Sequence, residues 1–113
     1  MTEYQLQCAL FEYASYHWWG EYFFSIPNEQ LAGPKHLGRL KKMGLKPGMP
    51  DTLLAVPTKD YHGLFLELKR PGEKPTAKQL GIISLLNQKG YYATWKDNLD
   101  ASIKLIETYL ASK

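Results

Sequence analysis

Two short apolar segments, residues 51–56 (DTLLAV) and 63–69 (GLFLELK), are separated only by the turn-rich segment PTKDYH. Apolar runs of this length between turn-forming residues predict β-strands. Because so short a connection leaves no room for a crossover, we expect the two strands to pair antiparallel. If Val56 and Gly63 flank the turn, Asp51 lies opposite about Leu68. The start of the first strand should therefore lie beside the end of the second.

The N-terminal half predicts a helix and a third strand. Residues 2–17 repeat apolar side chains with helical period after Thr2 and Gln5, which have the spacing of a capping box. The expected core face of this helix comprises Leu6, Ala9, Leu10, Tyr13, Ala14 and His17. The segment EYFFSIP predicts an aromatic-rich strand ended by Pro27. Residues 28–50 are expected to be loop-like, apart from a short helix from about His36 to Met43 that ends at Gly44.

The C-terminal half predicts a helix, a strand and a last helix. Thr76 should cap the first helix, with a core face of Leu80, Ile83, Leu86 and possibly Asn87. The segment YYATW predicts a strand, and NLDASIKLIETYL a helix with Leu99, Ile103, Ile106 and Leu110 on one face. A strand–helix–strand crossover of this kind is almost always right-handed. The expected fold is α/β, a mixed β-sheet flanked by helices in the order α-β-β-β-α-β-α.

Composition limits the class of protein without naming a function. The 113 residues fit one domain, residues 1–113, with ordinary apolar content. No apolar run is long enough to span a membrane, and no secretory signal opens the chain. The lone Cys8 excludes an internal disulfide and suits a reducing compartment. We therefore expect a cytoplasmic protein with no membrane partner.

Positive charge is concentrated in one segment. The net charge is only +3, yet the segment between Gly33 and Pro50 carries no acid. Its basic residues are Lys35, Arg39, Lys41, Lys42 and Lys46. Such a block can neutralise phosphates, and it can equally be a solvated basic loop. Charge alone does not separate these two interpretations.

Charged residues interrupt an apolar strand at Glu67 and Lys69, where burial is costly unless the charge is used or paired. Strand alternation places both on one face, near Asp51 across the hairpin. Two neighbouring carboxylates repel unless a cation lies between them, and Mg²⁺ prefers oxygen ligands, to which the Leu68 carbonyl could add. Lys69 would then hold or help deprotonate a water that attacks a phosphodiester. The alternative is a surface hairpin in which Asp51 caps a turn and Glu67 pairs with Lys69.

The dipeptide PD at residues 50–51, followed after fifteen residues by ELK at 67–69, resembles the PD-(D/E)XK nuclease pattern. The longer arrangement is similar to the VRR-NUC branch of that superfamily. Its pieces are Glu3 in the first helix, a strand ending IPN, then LKKMGLKPGMPD, GLFLELK, PTAKQ and KGYYATW. The resemblance covers nearly the whole chain and implies a restriction-endonuclease-like core. One departure is that the family's V-R-R triplet is here Leu68-Lys69-Arg70, so only the basic pair matches.

The resemblance implies a set of site residues. Asp51 and Glu67 would bind Mg²⁺, for which Mn²⁺ can substitute, together with Glu3 and the Leu68 carbonyl. Lys69 would be the motif lysine. Gln79 would face the site from the helix after the motif. The implied catalytic set is therefore Glu3, Asp51, Glu67, Lys69 and Gln79, and the expected DNA-binding set is Lys35, Arg39, Lys41, Lys42, Lys46, Arg70 and Lys78.

Several of these residues also have ordinary structural roles. Glu3 complements a helix dipole, and could point inward or outward. Gln79 has capping-box spacing from Thr76, so both roles can apply. Asn28 after Pro27 forms turns, and could contact phosphate or support the site. We expect Trp18 and Trp19 to lie in the core, at its rim or at an interface. Stacking on nucleic-acid bases is the less favoured role for them. The three histidines lack ligand spacing, so no zinc site is expected.

The expected function is that of a metal-dependent deoxyribonuclease. Small stand-alone members of the family resemble junction-resolving enzymes, which implies branched DNA, a homodimer and a phage-type protein in the host cytoplasm. A two-fold dimer suits the symmetry of a four-way (Holliday) junction. No small-molecule cofactor is expected. The alternatives are a nuclease-fold module that binds DNA or a partner without catalysis, and a small basic structural protein whose acids merely cap turns.

Overall fold

The computed structural model describes residues 1–112, except for the side chains of residues 29–32. The helices are α1 (Glu3–Ala14), α2 (Glu29–Lys42), α3 (Ala77–Gln88) and α4 (Leu99–Ala111), and a 3₁₀ helix spans Trp18–Tyr22. The strands are β1 (Phe23–Ser25), β2 (Thr52–Leu54), β3 (Leu64–Leu68) and β4 (Tyr92–Lys96). The predicted element order is therefore confirmed, with the 3₁₀ helix and a longer α2 added.

The four strands form one mixed sheet in the order β1-β2-β3-β4. The β1–β2 and β2–β3 pairs are antiparallel, as the short hairpin connection requires, and β3–β4 is parallel through the α3 crossover. All five residues of β3 are buried, because β3 is an inner strand with helices on both of its faces. The predicted α/β fold with a helix-flanked mixed sheet is confirmed.

Side chains of β3 alternate between two apolar clusters. Leu64, Leu66 and Leu68 pack in the larger cluster, with α1, α4 and the 3₁₀ helix. Phe65 packs on the opposite face in a smaller cluster with Ile83 of α3. By the same alternation Glu67 belongs to the Phe65 face, at the end of the sheet where that smaller cluster stops. A surface hairpin is thereby excluded, since β3 is a core strand.

The hairpin register differs by one residue from the expected one. Thr52 pairs with Leu66 and Leu54 with Leu64, so the strands are shorter and the connection longer than predicted. This register buries Thr52 and Leu54 on the face that carries Leu64 and Leu66, and a one-residue slip would expose them. Continuing the register places Asp51 opposite Glu67 rather than Leu68.

The N-terminal elements begin and end differently from the prediction. The Thr2–Gln5 capping box is present, but α1 ends at Ala14, and His17 is exposed with an extended backbone. The 3₁₀ helix takes the place of the predicted start of the β1 strand. Trp19 is buried in the core, whereas Trp18 is exposed.

The basic segment is more helical than predicted. The predicted core face of α3 is only partly confirmed. Helix α2 starts at Glu29 and is broken at Gly33, which has a non-helical backbone with φ of 69°. The next residue is Pro34. In α3 Ile83 is buried, but Leu80 is 46 % exposed and so does not belong to the core face. In α4 Ile106 is buried as expected, and Ser102 and Tyr109 are buried in addition.

Within the part of the chain that the structure describes, every helix is too short or too polar to cross a membrane.

Gly20 permits a close backbone approach that a larger residue would block. A Cβ built at Gly20 would lie 2.2 Å from the Ala14 carbonyl oxygen, whereas one at Gly81, inside α3, meets nothing within 4 Å. We expect Gly20→Ala to lower the free energy of unfolding by about 1–3 kcal/mol. Gly81→Ala should raise it by about 0.5–1 kcal/mol, because alanine favours helix more than glycine does. Thermal and urea unfolding measure both, and equal effects would contradict the packing described.

Candidate active site

Asp51 immediately precedes β2 and is fixed by its neighbours on both sides. Its Oδ2 accepts a hydrogen bond of 2.8 Å from the backbone N–H of Leu68 in β3. Its Oδ1 lies 3.5 Å from the Nδ2 of Asn28, and its carbonyl accepts a bond of 2.7 Å from the N–H of Ile26, which follows β1. The Asp51 carboxylate is thus held at the junction of three strands, far more tightly than turn capping requires.

Glu67 is a buried carboxyl group without a complete set of partners. It is 1 % exposed, and its Oε2 has no hydrogen-bond partner among the described residues. Burial raises the pKa of Glu67 to about 9; the hydrogen bond with Asp51 and that residue's charge add to the rise, and Lys69 opposes it. A carboxylate in this position needs a cation, a proton or both.

Lys69 directly follows β3 and is 6 % exposed. Its backbone N–H donates to the carbonyl of Lys96, which extends the parallel pairing beyond the last residue of β3. Its Nζ lies 3.8 Å from an Oε1 of Glu73, and Glu73 also pairs with the exposed Arg70. The ion pair with the partly exposed Glu73 restricts the position of the Lys69 ammonium group near Asp51 and Glu67.

A cavity of about 30 Å³ joins these groups. Its lining residues are Glu3, Asn28, Gly48, Met49, Asp51, Glu67, Lys69 and Gln79. All five side chains of the expected catalytic set therefore line one cavity. Glu3 faces inward from the first turn of α1, and Gln79 lines the cavity while also completing the capping box with Thr76. Gly48 and Met49 were not predicted as site residues, although both belong to the segment LKKMGLKPGMPD that contributes to the family resemblance.

The third carboxylate stands apart from the other two. Burial raises the pKa of Glu3, and the charge of Lys69 opposes this rise. Across residues 1–112 with described side chains, no three His, Cys, Asp or Glu side chains gather into a ready-made metal-binding group. Asp51 and Glu67 are thus a close pair, with Glu3 at the same cavity but outside that pair.

The Asp51–Glu67 pair fits a hard divalent cation. The unpartnered Glu67 Oε2 is an available oxygen ligand, and a cavity of about 30 Å³ has room for one ion or water. The Leu68 side chain is buried in the core, so only its backbone carbonyl could contribute. Mg²⁺ usually keeps several waters and binds through one or two carboxylates, so it suits this pair better than a cation that needs a full cage of protein ligands.

The expected DNA-binding residues lie in two places. Lys35, Arg39, Lys41, Lys42 and Lys46 are exposed on α2 and the loop after it. Arg39, Lys41 and Lys42 occupy the last turn of α2, where cations also favour the helix dipole. Lys78 packs against Gly48, since a Cβ at Gly48 would lie 3.1 Å from its Cγ. Lys78 is thus beside the cavity.

The fold has a solved counterpart. A structure described as "VRR_NUC domain protein" superposes with a TM-score of 0.88 at 25% sequence identity, covering 100% of this chain and 91% of the other. The chain has the fold of a VRR-NUC domain. The resemblance seen in the sequence and the restriction-endonuclease-like core are therefore confirmed. No protein-family model matches the chain. No curated protein matches it either. The assignment of the VRR-NUC fold therefore rests on the structural comparison.

The raised pKa of Glu67 predicts how stability varies with pH in the absence of metal. Because folding raises this pKa from its ordinary value to about 9, the folded state retains a proton that the unfolded state releases. Stability should therefore fall as pH rises from about 4.5 towards 9. Glu67→Gln should remove most of this slope and be at least about 1 kcal/mol more stable than wild type at pH 8.

Thermal unfolding in EDTA across this pH range measures the effect, with Glu107→Gln, an exposed acid on α4, as the control. Adding Mg²⁺ should stabilise the wild type and Glu107→Gln but not Glu67→Gln. Parallel pH profiles for all three proteins would contradict the assignment of Glu67.

Proposed function

We propose that this chain is a Mg²⁺-dependent DNA endonuclease that hydrolyses phosphodiester bonds. The observation that carries the proposal is the half-buried Asp51 beside the buried Glu67, with one Glu67 oxygen unpartnered among the described residues and Lys69 at the same cavity. Burying Glu67 and Lys69 beside the half-buried Asp51 is costly, so a binding or catalytic role is the economical explanation. The VRR-NUC fold, whose name denotes a nuclease domain, supports the same reaction class.

Each residue at the cavity would have a separate role in hydrolysis. Asp51 and Glu67 would hold the cation, with the Leu68 carbonyl and Glu3 as further oxygen donors. A bound Mg²⁺ would supply positive charge to offset the negative charge that develops on the phosphate. Lys69 would orient the attacking water and Gln79 would position the phosphate by hydrogen bonding. Water adds to phosphorus as the bond to the leaving oxygen breaks, giving a phosphate on one product and a hydroxyl on the other.

The substrate proposed is branched DNA, in particular the four-way junction, cut by a homodimer. Two symmetric strands of a junction match two sites related by a two-fold axis. The basic side chains of α2 would contact phosphates, and they offer no obvious set of groups for reading base edges. Recognition would therefore depend on DNA shape rather than sequence.

Loss of the charge of Asp51 or of Lys69 should abolish cleavage but not binding. In Asp51→Asn an amide oxygen can still accept the Leu68 N–H, so the fold should be retained. We expect Asp51→Asn and Lys69→Ala to lower the cleavage rate at least about 100-fold, in line with the loss of a positioned catalytic group. A panel of duplex, flap, splayed-arm and four-way junction DNA with Mg²⁺ measures cleavage, and gel shifts in EDTA measure binding.

Cutting of the four-way junction alone would identify the substrate. Wild-type cleavage rates in Asp51→Asn would overturn the assignment. Metal-independent DNA binding without any cleavage would instead favour the non-catalytic module.

The basic end of α2 should contribute to affinity in a salt-dependent way. The double variant Lys41→Ala/Lys42→Ala should weaken binding of every DNA in the panel, and should reduce the slope of log affinity against log salt by about 2. Lys59→Ala/Lys104→Ala removes the same charge from exposed positions elsewhere on the chain and should leave the slope unchanged. Equal slopes for both double variants would show that α2 is merely a solvated basic face.

A further inference from the structure

A second, larger cavity adjoins the catalytic cavity along α1. Its volume is about 290 Å³, and it shares Glu3, Asn28 and Asp51 with the catalytic cavity. The remaining lining residues are Tyr4, Gln7, Cys8, Ser25 and Ile26. They come from the outer face of α1 and from the end of β1. The two cavities therefore form one continuous cleft that opens to solvent beside the Asp51 carboxylate.

Tyr4 stands out in this cleft. It follows Glu3 directly, is 77 % exposed, and its ring stacks on no other ring of the described residues. Most other tyrosines of the chain pack against aromatic neighbours, as Tyr61 does with Tyr92. A largely exposed ring at the wall of a cleft offers a flat face to a ligand.

The chemistry of the lining selects the kind of group that fits. The charged lining residues of the larger cavity, Glu3 and Asp51, are both acids, so this cavity would repel a phosphate that is not bound to the metal. A neutral flat group suits it better, with Tyr4 and Ile26 offering apolar surface and Gln7 and Ser25 offering hydrogen bonds. A volume of about 290 Å³ is near the lower end for small-molecule pockets, roughly 300–1,000 Å³, and fits one nucleotide rather than a duplex.

We propose that the larger cavity, which we call the Tyr4 cleft, is a subsite for one unpaired nucleotide. Its base would stack on Tyr4 while the adjoining phosphate lies at the Asp51–Glu67 pair. This inference rests on the proposed nuclease function for the identity of the ligand. A base paired within a duplex is stacked on both sides and cannot reach the ring, so the subsite requires a nucleotide that is unpaired beside the cut. Such a nucleotide is present in a flap or a splayed arm, and it arises in a four-way junction when a base pair opens at the branch point. Because every base has a π face, the selection is for unpaired structure and not for sequence.

Oligothymidylate binding in EDTA tests the subsite without cleavage. A short fluorescein-labelled oligothymidylate is titrated with each variant, and binding is followed by fluorescence anisotropy. Tyr4→Ala should weaken binding about tenfold, the lower part of the range for loss of one stacked base. Tyr4→Phe, which retains the ring, should bind within about twofold of wild type, whereas Tyr4→Leu should lose as much as Tyr4→Ala.

Tyr16 provides the matched control. It is 80 % exposed but lies beyond the other end of α1 and lines neither cavity. Tyr16→Ala should therefore bind like the wild type. The subsite is overturned if Tyr4→Ala and Tyr16→Ala bind alike, if Tyr4→Leu binds as well as Tyr4→Phe, or if the wild type does not bind oligothymidylate.

The two proposals fail in different ways. If Tyr4→Ala binds oligothymidylate as tightly as wild type while the wild type cuts branched DNA with Mg²⁺, the subsite alone is wrong. If no DNA is cut and the ring-dependent loss is still observed, the nuclease proposal fails and the nucleotide subsite stands.

Discussion

The hydrogen bond from the Leu68 N–H to the Asp51 carboxylate is the interaction on which the site depends. It joins the residue before β2 to the last residue of β3, and it continues the antiparallel pairing with a side chain where the backbone ladder has ended. A charge-assisted bond of this kind is shorter and stronger than a neutral one. It fixes one acid at the position opposite Glu67, so the geometry of the pair follows from the register of the hairpin.

That geometry is held at a cost to stability. Glu67 belongs to an inner strand of the sheet, because β3 pairs with β2 on one side and with β4 on the other. Its carboxyl group is therefore desolvated, and no described side chain or backbone group donates to its Oε2. The two apolar clusters on either side of β3 must offset this cost. The site is built from the end of β3, whose five residues are all buried, and this makes the site rigid.

Sequence patterns predicted what depends on local chemistry. Thr2 and Thr76 mark their helices because each capping box is completed by residues three positions away, and the short hairpin connection dictated antiparallel pairing. The one-residue shift in register was missed because it depends on which face of β2 is buried. Leu80 was misplaced because helical period alone does not show which turns of a helix are covered by the rest of the fold. The Tyr4 cleft has no sequence signal, since an exposed tyrosine in a helix resembles any surface residue until its neighbours are known.

The electrostatics of the cleft depend on more than its acids. Glu3 is the first residue of α1 and Gln79 lies in the first turn of α3, so the N-terminal ends of two helices meet at the catalytic cavity. Helix N-termini carry partial positive charge and favour anions. Together with Lys69 they offset some of the repulsion that Asp51 and Glu67 would exert on a phosphate. The site therefore combines acids that attract a cation with fixed dipoles that tolerate an anion. A phosphodiester bridged to a divalent ion presents both charges at once, so this arrangement would suit the proposed phosphoryl chemistry better than metal storage.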